Sequence, residues 1–207
     1  SRRPAPRRIV MASFLLPLLL GLPLLAALLL PLLPDGSSVR VRSLAALATG
    51  LQLLAAVAAW RQPPADWHLA WLPKLGLEFD LGLDGLSLPL VMLTALLTTL
   101  AILSAPADQS RPRLYFPLML ATNIGVVGAL LARNALLFVL AFELVLIPTT
   151  LLVAIWGGPR RAGAAVRFLL YGAVSGLSLL AAVLAFGWFN SNGLAFGYDD
   201  QIGRAHV

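Results

Sequence analysis

The sequence predicts an all-α, polytopic membrane protein with six spanning helices, and three observations carry that prediction. Of 207 residues, 59% are hydrophobic and 12% charged, with a mean hydropathy of +0.88; a soluble domain carries about 25% charged residues. The apolar side chains fall in six runs of roughly 20 residues, the length that crosses a ~30 Å hydrocarbon layer at ~1.5 Å per residue. The runs show no period-two alternation, and an isolated strand leaves its backbone polar groups unsatisfied in lipid. No strand is therefore expected.

The first run is Ile9–Leu33. It is longer than the apolar core of a secretory leader, and no small-x-small cleavage pattern follows it, so it is expected to span. Pro34-Asp35-Gly36-Ser37-Ser38 ends it with turn chemistry. The second run is Val41–Trp60, closed by Pro63-Pro64. In the loop that follows, His68 stands among Trp67, Trp71 and Pro73 and reads as part of an interfacial aromatic belt. The third run, Leu83–Ala105, opens with Asp84, Gly85 and Ser87. An acid there complements the positive end of a helix dipole, so Asp84 is given a structural role.

The fourth run, Leu114–Leu131, lies between a Pro106–Pro112 break and Arg133-Asn134. Asn123 and Thr122 inside it suit hydrogen bonding between helices. The fifth run, Ala135–Trp156, ends at Gly157-Gly158-Pro159, and the sixth is Gly163–Phe189. Gly172 and Gly176 in the sixth run are four residues apart, as small residues are where two membrane helices approach closely.

The formal charge of +6 and the pI near 11.0 suggest a nucleic-acid partner, but the excess sits at the ends. Arg2, Arg3, Arg7 and Arg8 precede Met11, and Arg204 lies in the last four residues; across residues 11–201 ten basic side chains face nine acidic ones. The partner implied by composition is the lipid bilayer, and nucleic acid is rejected. With no cysteine, thiolate-held clusters and disulfides are excluded. His68 and His206 have no ligand-spaced partners, and there is no P-loop or dinucleotide fingerprint. No cofactor or metal site is expected in the chain.

Loops after helices one, three and five carry Arg40, Arg42, Arg111, Arg113, Arg160 and Arg161, whereas those after two and four carry Arg61, Lys74 and Arg133. Six against three predicts the first set in the cytoplasm and the N-terminus outside. The arginines before Met11 oppose that orientation, so residues 1–10 are expected to be a non-native or upstream extension. The helical region is then 11–189, with a loop over 190–200. Residues 201–207 back-translate onto the start of a common sequencing adapter and are expected to be read-through, leaving the natural chain longer than this one.

Glu143 is the most informative residue. It lies eight positions into the fifth run, ~12 Å from one end and ~20 Å from the other by helix rise, too deep to reach either interface. A charged acid at mid-membrane costs ~2.5–3.5 kcal/mol on insertion scales, so such residues mark functional sites. Its proton affinity depends on burial and on nearby cations, which suits it to gaining and losing a proton. Pro148, five residues on, removes the N–H that would bond the Leu144 carbonyl and loosens the helix there. Thr149 and Thr150 are placed to compensate the freed backbone. Arg167 lies four residues into the sixth run, ~6 Å from its end, where it can snorkel. For antiparallel helices it stands ~13 Å from Glu143 along the membrane normal, too far for an ion pair.

These residues carry a resemblance. Phe142-Glu143-Leu144-Val145-Leu146-Ile147-Pro148, the closing Ala154-Ile155-Trp156-Gly157-Gly158, then Arg160-Arg161 and Ala164-Ala165-Val166-Arg167-Phe168-Leu169-Leu170-Tyr171 resemble subunit M (chain 4) of respiratory complex I. Gly82-Leu83-Asp84-Gly85-Leu86-Ser87-Leu88 resembles the head of that family's third helix, and the loop after Trp156 is similar to the cyanobacterial and plastid version. The likeness is specific over residues 77–189, while residues 11–76 match in pattern only.

The resemblance implies an antiporter-like fold of roughly fourteen helices, of which this chain, 207 residues long, holds the first six. It implies that Glu143 belongs to an essential proton path coupled to quinone reduction. NAD(P)H, FMN, iron–sulfur clusters and quinone would lie on the wider complex, and the partners would be its other membrane subunits, including neighbouring antiporter-like ones. The setting would be a bacterial plasma membrane or a cyanobacterial thylakoid. Arg167 stands where the family has a lysine; arginine does not deprotonate, so a fixed countercharge is implied instead of a relay. A subunit of a cation/proton antiporter or membrane-bound hydrogenase shares the helix-five glutamate, and a non-conducting scaffold is the reading from another class.

Overall fold

The computed structural model describes residues 6–33, 38–61, 66–72, 77–106 and 108–189. Its elements are α1 (Pro6–Leu29), which tightens into a 3-10 turn at Leu30–Leu32, α2 (Ser38–Arg61), β1 (Trp67–Leu72), β2 (Leu77–Leu81), α3 (Ser87–Ser104), α4 (Pro112–Leu131), α5 (Ala135–Trp156) and α6 (Arg161–Phe189). The expected turns at 34–37 and Pro63-Pro64, Pro73 and Lys74, residues 1–5, and the tail from 190 with His206 lie outside the described residues. All six helices contain a stretch long and apolar enough to cross a membrane, and the chain is an integral membrane protein. α1 begins ahead of Met11.

Local chemistry fixes the helix ends. α5 starts where Asn134, in extended conformation, accepts the Leu136 N–H on its side chain at 2.9 Å. It stops at Gly157, and the Arg161 guanidinium covers the Ile155 carbonyl at 2.9 Å. α3 opens later than the apolar run suggests because residues 84–86 form its cap. Asp84 Oδ1 accepts the N–H groups of Leu86 (2.9 Å) and Ser87 (2.6 Å), while Ser87 Oγ accepts the Asp84 N–H at 2.9 Å. This reciprocal pair is a capping box, and the Asp84 carbonyl takes the first i+4 bond, from Leu88, at 3.2 Å. Hydrogen bonds from Ser87 chiefly, partly opposed by desolvation, hold the Asp84 carboxyl below its ordinary 3.8.

α4 packs against α1, α2, α3 and α5, whereas α6 rests on α5. Among the six spans α2 is the most buried, at 39%, and α6 the least, at 6%. Two apolar clusters form the interior. One, near the strands, joins Leu16, Leu19, Ala56, Val91, Val127 and Leu131; the other, at the far side, joins Leu30, Val41, Ala45, Ile102, Phe116 and Leu120. Between them runs a layer of hydroxyls and amides. Thr99 Oγ1 donates to Thr49 Oγ1 at 2.9 Å, Gln52 Nε2 to the Leu19 carbonyl at 2.7 Å, and Asn123 Nδ2 to Thr98 Oγ1 at 3.1 Å. Such bonds tie membrane helices together where lipid offers no competing partner.

The strands correct the expectation that no strand forms. β1 and β2 form an antiparallel hairpin in which Trp67 pairs with Leu81, His68 with Asp80 and Leu69 with Phe79. His68 Nδ1 lies 2.9 Å from Asp80 Oδ1, so this histidine belongs to a hairpin and its cross-strand pair. The hairpin is held to the α4–α5 turn by main-chain bonds: Gly82 N–H to the Leu131 carbonyl and Arg133 N–H to the Asp80 carbonyl, both 2.9 Å. Satisfying its backbone in this way lets a two-stranded element sit beside a membrane bundle. The six-helix class stands with that addition.

Candidate functional site

Glu143 occupies the α5 face turned toward α6. Oε1 is buried and accepts no hydrogen bond among the described residues, although the residue as a whole is half-buried. The opposing position on α6 is Gly176. A Cβ there would collide with Glu143 Oε1 and would lie 2.5 Å from Cδ and 3.2 Å from Oε2, so the carboxyl lies against the bare backbone of α6. One turn along, a Cβ at Gly172 would collide with Leu146 Cδ1. Stepping from 143 to 146 on α5 thus runs from 176 to 172 on α6, and the two helices are antiparallel.

On its other side α5 meets α4 at Gly125, where a Cβ would lie 2.6 Å from Val145 Cγ2 and 3.0 Å from the Ala141 carbonyl oxygen. Glycines on both neighbouring helices therefore bracket the turn that carries Glu143. Gly125 is absent from the sequence-derived candidates; a lone glycine within a helical pattern signals only a weak helix position.

Pro148 is buried, and α5 runs through it unbroken. Neither threonine beside it turns to the Leu144 carbonyl. Thr150 Oγ1 donates to the Leu146 carbonyl at 2.7 Å, and Thr149 Oγ1 lies 3.4 Å from Thr122 Oγ1. Thr122 and Asn123 line an open groove of about 270 Å³ with Thr94, Thr98, Met119 and Leu152. Asn123 is 2% exposed, yet its Oδ1 accepts nothing.

Arg167 is not brought to Glu143. It is exposed, and its nearest approach to a glycine is Nη2 at 3.9 Å from a Cβ placed on Gly163, so the side chain reaches back toward the start of α6, as helical side chains do. With Gly176 opposite Glu143, nine residues of rise leave Arg167 ~13 Å away. Among the described residues no ion pair joins them. Asp84, in its cap, stands in a different part of the fold from Glu143.

This arrangement can hold a proton. Glu143 Oε1 is buried without a donor among the described residues, and no arginine is in reach. Among the described residues no group of three His, Cys, Asp or Glu side chains converges to hold a metal.

The model of the family described as NADH:quinone oxidoreductase/Mrp antiporter, transmembrane, matches residues 132–199, the stretch holding Glu143, Pro148, Arg167, Gly172 and Gly176. The chain belongs to this family of antiporter-like membrane subunits. Its sequence is 43% identical over 180 residues to an NAD(P)H-quinone oxidoreductase chain 4 of Synechococcus sp. strain JA-3-3Ab, covering 84% of this chain and 34% of the relative. A chain of respiratory complex I from Thermus thermophilus superposes with a TM-score of 0.77 at 30% identity, over 89% of this chain and 38% of the other. A chain of the Mrp complex from Dietzia sp. DQ12-45-1b shares the fold, with a TM-score of 0.69 at 22% identity over 89% of this chain and 20% of the other. The chain spans about a third of the length of the curated relatives it matches.

Proposed function

We propose that this chain is part of a proton-translocating membrane subunit of an NAD(P)H–quinone oxidoreductase, in which Glu143 takes up and releases protons in response to quinone reduction elsewhere in the complex. The observation that carries the proposal is the Glu143 carboxyl at mid-span, with Oε1 buried and unpartnered. An acid kept in that state without function loses several kcal/mol that an apolar residue would not. The 43% identity to a chain 4 supports the quinone oxidoreductase assignment.

In this reading Arg167 is a countercharge near the membrane face, not the direct partner of Glu143. The partners are other membrane subunits, and NAD(P)H, flavin, iron–sulfur clusters and quinone belong to them or to peripheral subunits. The arginine distribution between loops supports an N-terminus on the outer side of a bacterial plasma membrane or its thylakoid equivalent. A second reading, a subunit of a cation/proton antiporter, is favoured by the shared fold of the Mrp complex chain. The genes flanking the full locus separate the two.

The test is Glu143→Gln in the full-length subunit within its assembled complex. Gln keeps the volume and hydrogen-bonding capacity but cannot carry a proton. Proton transport across vesicles should fall at least tenfold with assembly intact. Undiminished transport would leave the chain as a scaffold that retains the fold.

A further inference from the structure

We propose that Gly176 is a positioning residue for Glu143: the missing side chain on α6 is what allows the acid's carboxyl to lie against that helix. The inference rests on the proposed role of Glu143 and deepens it.

Three features support it. First, all three carboxyl atoms fall within 3.2 Å of where a Cβ on Gly176 would stand. Oε1 and Cδ would stand closer than real Cβ contacts come, and Oε2 would be tight, so the present carboxyl position and a side chain at 176 exclude each other. Second, the colliding atoms are the far end of a flexible side chain. Gly176→Ala therefore leaves the α5–α6 backbones free to keep their places while the carboxyl swings away. Third, Oε1 is buried and without a hydrogen bond, so the α6 backbone screens this acid without tying it down. Moving the carboxyl changes what it is exposed to, and hence how it exchanges protons. A glycine used only for helix packing would show none of this selectivity.

Gly172 provides a matched control. It lies one turn from Gly176 on the same face, and its Cβ would strike the equally mobile end of Leu146. Gly172→Ala perturbs the same helix contact by displacing a hydrocarbon instead of an acid.

The experiment uses the full-length subunit in membranes of its assembled complex and a lipid-soluble carbodiimide, which modifies protonated carboxyls in apolar surroundings. Labelling of Glu143 is followed by mass spectrometry as a function of pH, with Glu143→Gln as the blank. Gly176→Ala should move the midpoint of the labelling profile by about one pH unit, with Gly172→Ala staying at the wild-type midpoint. Equal displacement in both variants, or none in Gly176→Ala, overturns the proposal. Should Gly176→Ala fail to assemble, the double variant Glu143→Ala with Gly176→Ala removes the colliding atoms. Recovery of assembly supports the proposal, and continued failure overturns it, because the glycine then serves helix packing alone. Labelling reports the surroundings of Glu143 whether or not protons are pumped, so a negative transport result with Glu143→Gln leaves this readout intact.

Discussion

Removing the Asp84 side chain should unlock the first turn of α3 while leaving the rest of the bundle in place. Oδ1 holds two amide N–H groups, Leu86 at 2.9 Å and Ser87 at 2.6 Å, and Ser87 Oγ returns a bond to the Asp84 N–H at 2.9 Å. Loss of an N-cap of this kind costs about 1 kcal/mol, within a range of roughly 0.5–2. The carboxylate's charge at the positive helix end contributes ~0.3 kcal/mol more, taken at the low end because Asp84 is largely exposed. The Asp84→Ala variant should therefore open its first turn about ninefold more often, within a range of roughly four- to fiftyfold. Amide hydrogen exchange of the protein in nanodiscs would read this directly as faster exchange at Leu86 and Ser87, with α5 unchanged. Asp84→Asn retains the acceptor and should lose only the charge contribution. Because the folded carboxyl titrates below its ordinary 3.8, the charge-dependent part of the cap's contribution is fully present above that value. It declines as pH falls through the interval down to the lower folded value, and is gone beneath it. Wild-type protection at Leu86 and Ser87 in Asp84→Ala would refute the capping argument, since among the described residues Asp84 is the acceptor these groups have.

Two further substitutions probe the helix contacts. Gly125→Leu drives a branched side chain into Val145 and the Ala141 carbonyl; it should cost about 1–3 kcal/mol, seen as a lowered unfolding temperature in detergent and reduced α4–α5 crosslinking between engineered cysteines. Gln52→Leu deletes the 2.7 Å bond to the Leu19 carbonyl and should cost only about 0.6 kcal/mol, the average for membrane hydrogen bonds. A loss above ~2 kcal/mol in a denaturant titration would mean that the α1–α2 contact depends on that amide.

The helices were legible because membrane thickness dictates the length of an apolar run, and terminators mark where it ends. For α5 the apolar run Ala135–Trp156 and the helix coincide, since Asn134 caps one end and Gly157-Gly158-Pro159 closes the other. The start of α3 was displaced because Leu83 is apolar yet precedes the cap, and hydropathy cannot tell a capping segment from a helical one. The hairpin was missed although Leu77-Glu78-Phe79-Asp80-Leu81 alternates cleanly; five residues are few, and tryptophan beside histidine also suits an interfacial belt. Glu143 stood out because an acid in a lipid-length run is costly wherever it points. Its apposition to Gly176 was illegible, because sequence spacing places residues on a face without giving the relative rotation of two helices. For the same reason Gly172 and Gly176 looked equivalent in sequence, although one meets a leucine and the other the acid.

The two ends of α5 are fastened differently. Where it leaves α4, it is clamped to the hairpin through main-chain bonds of Leu131 and Arg133. At its other end the connection runs through the Trp156 indole, which donates to Ser110 Oγ at 2.9 Å. Main-chain bonds move only with the backbone, whereas an indole can let go by a rotamer change, and Pro148 lies between the two. The helix is thus anchored by backbone at its hairpin end and by side chains at the other. Glu143 lies on the hairpin side of Pro148, in the stretch of α5 that the main-chain bonds anchor.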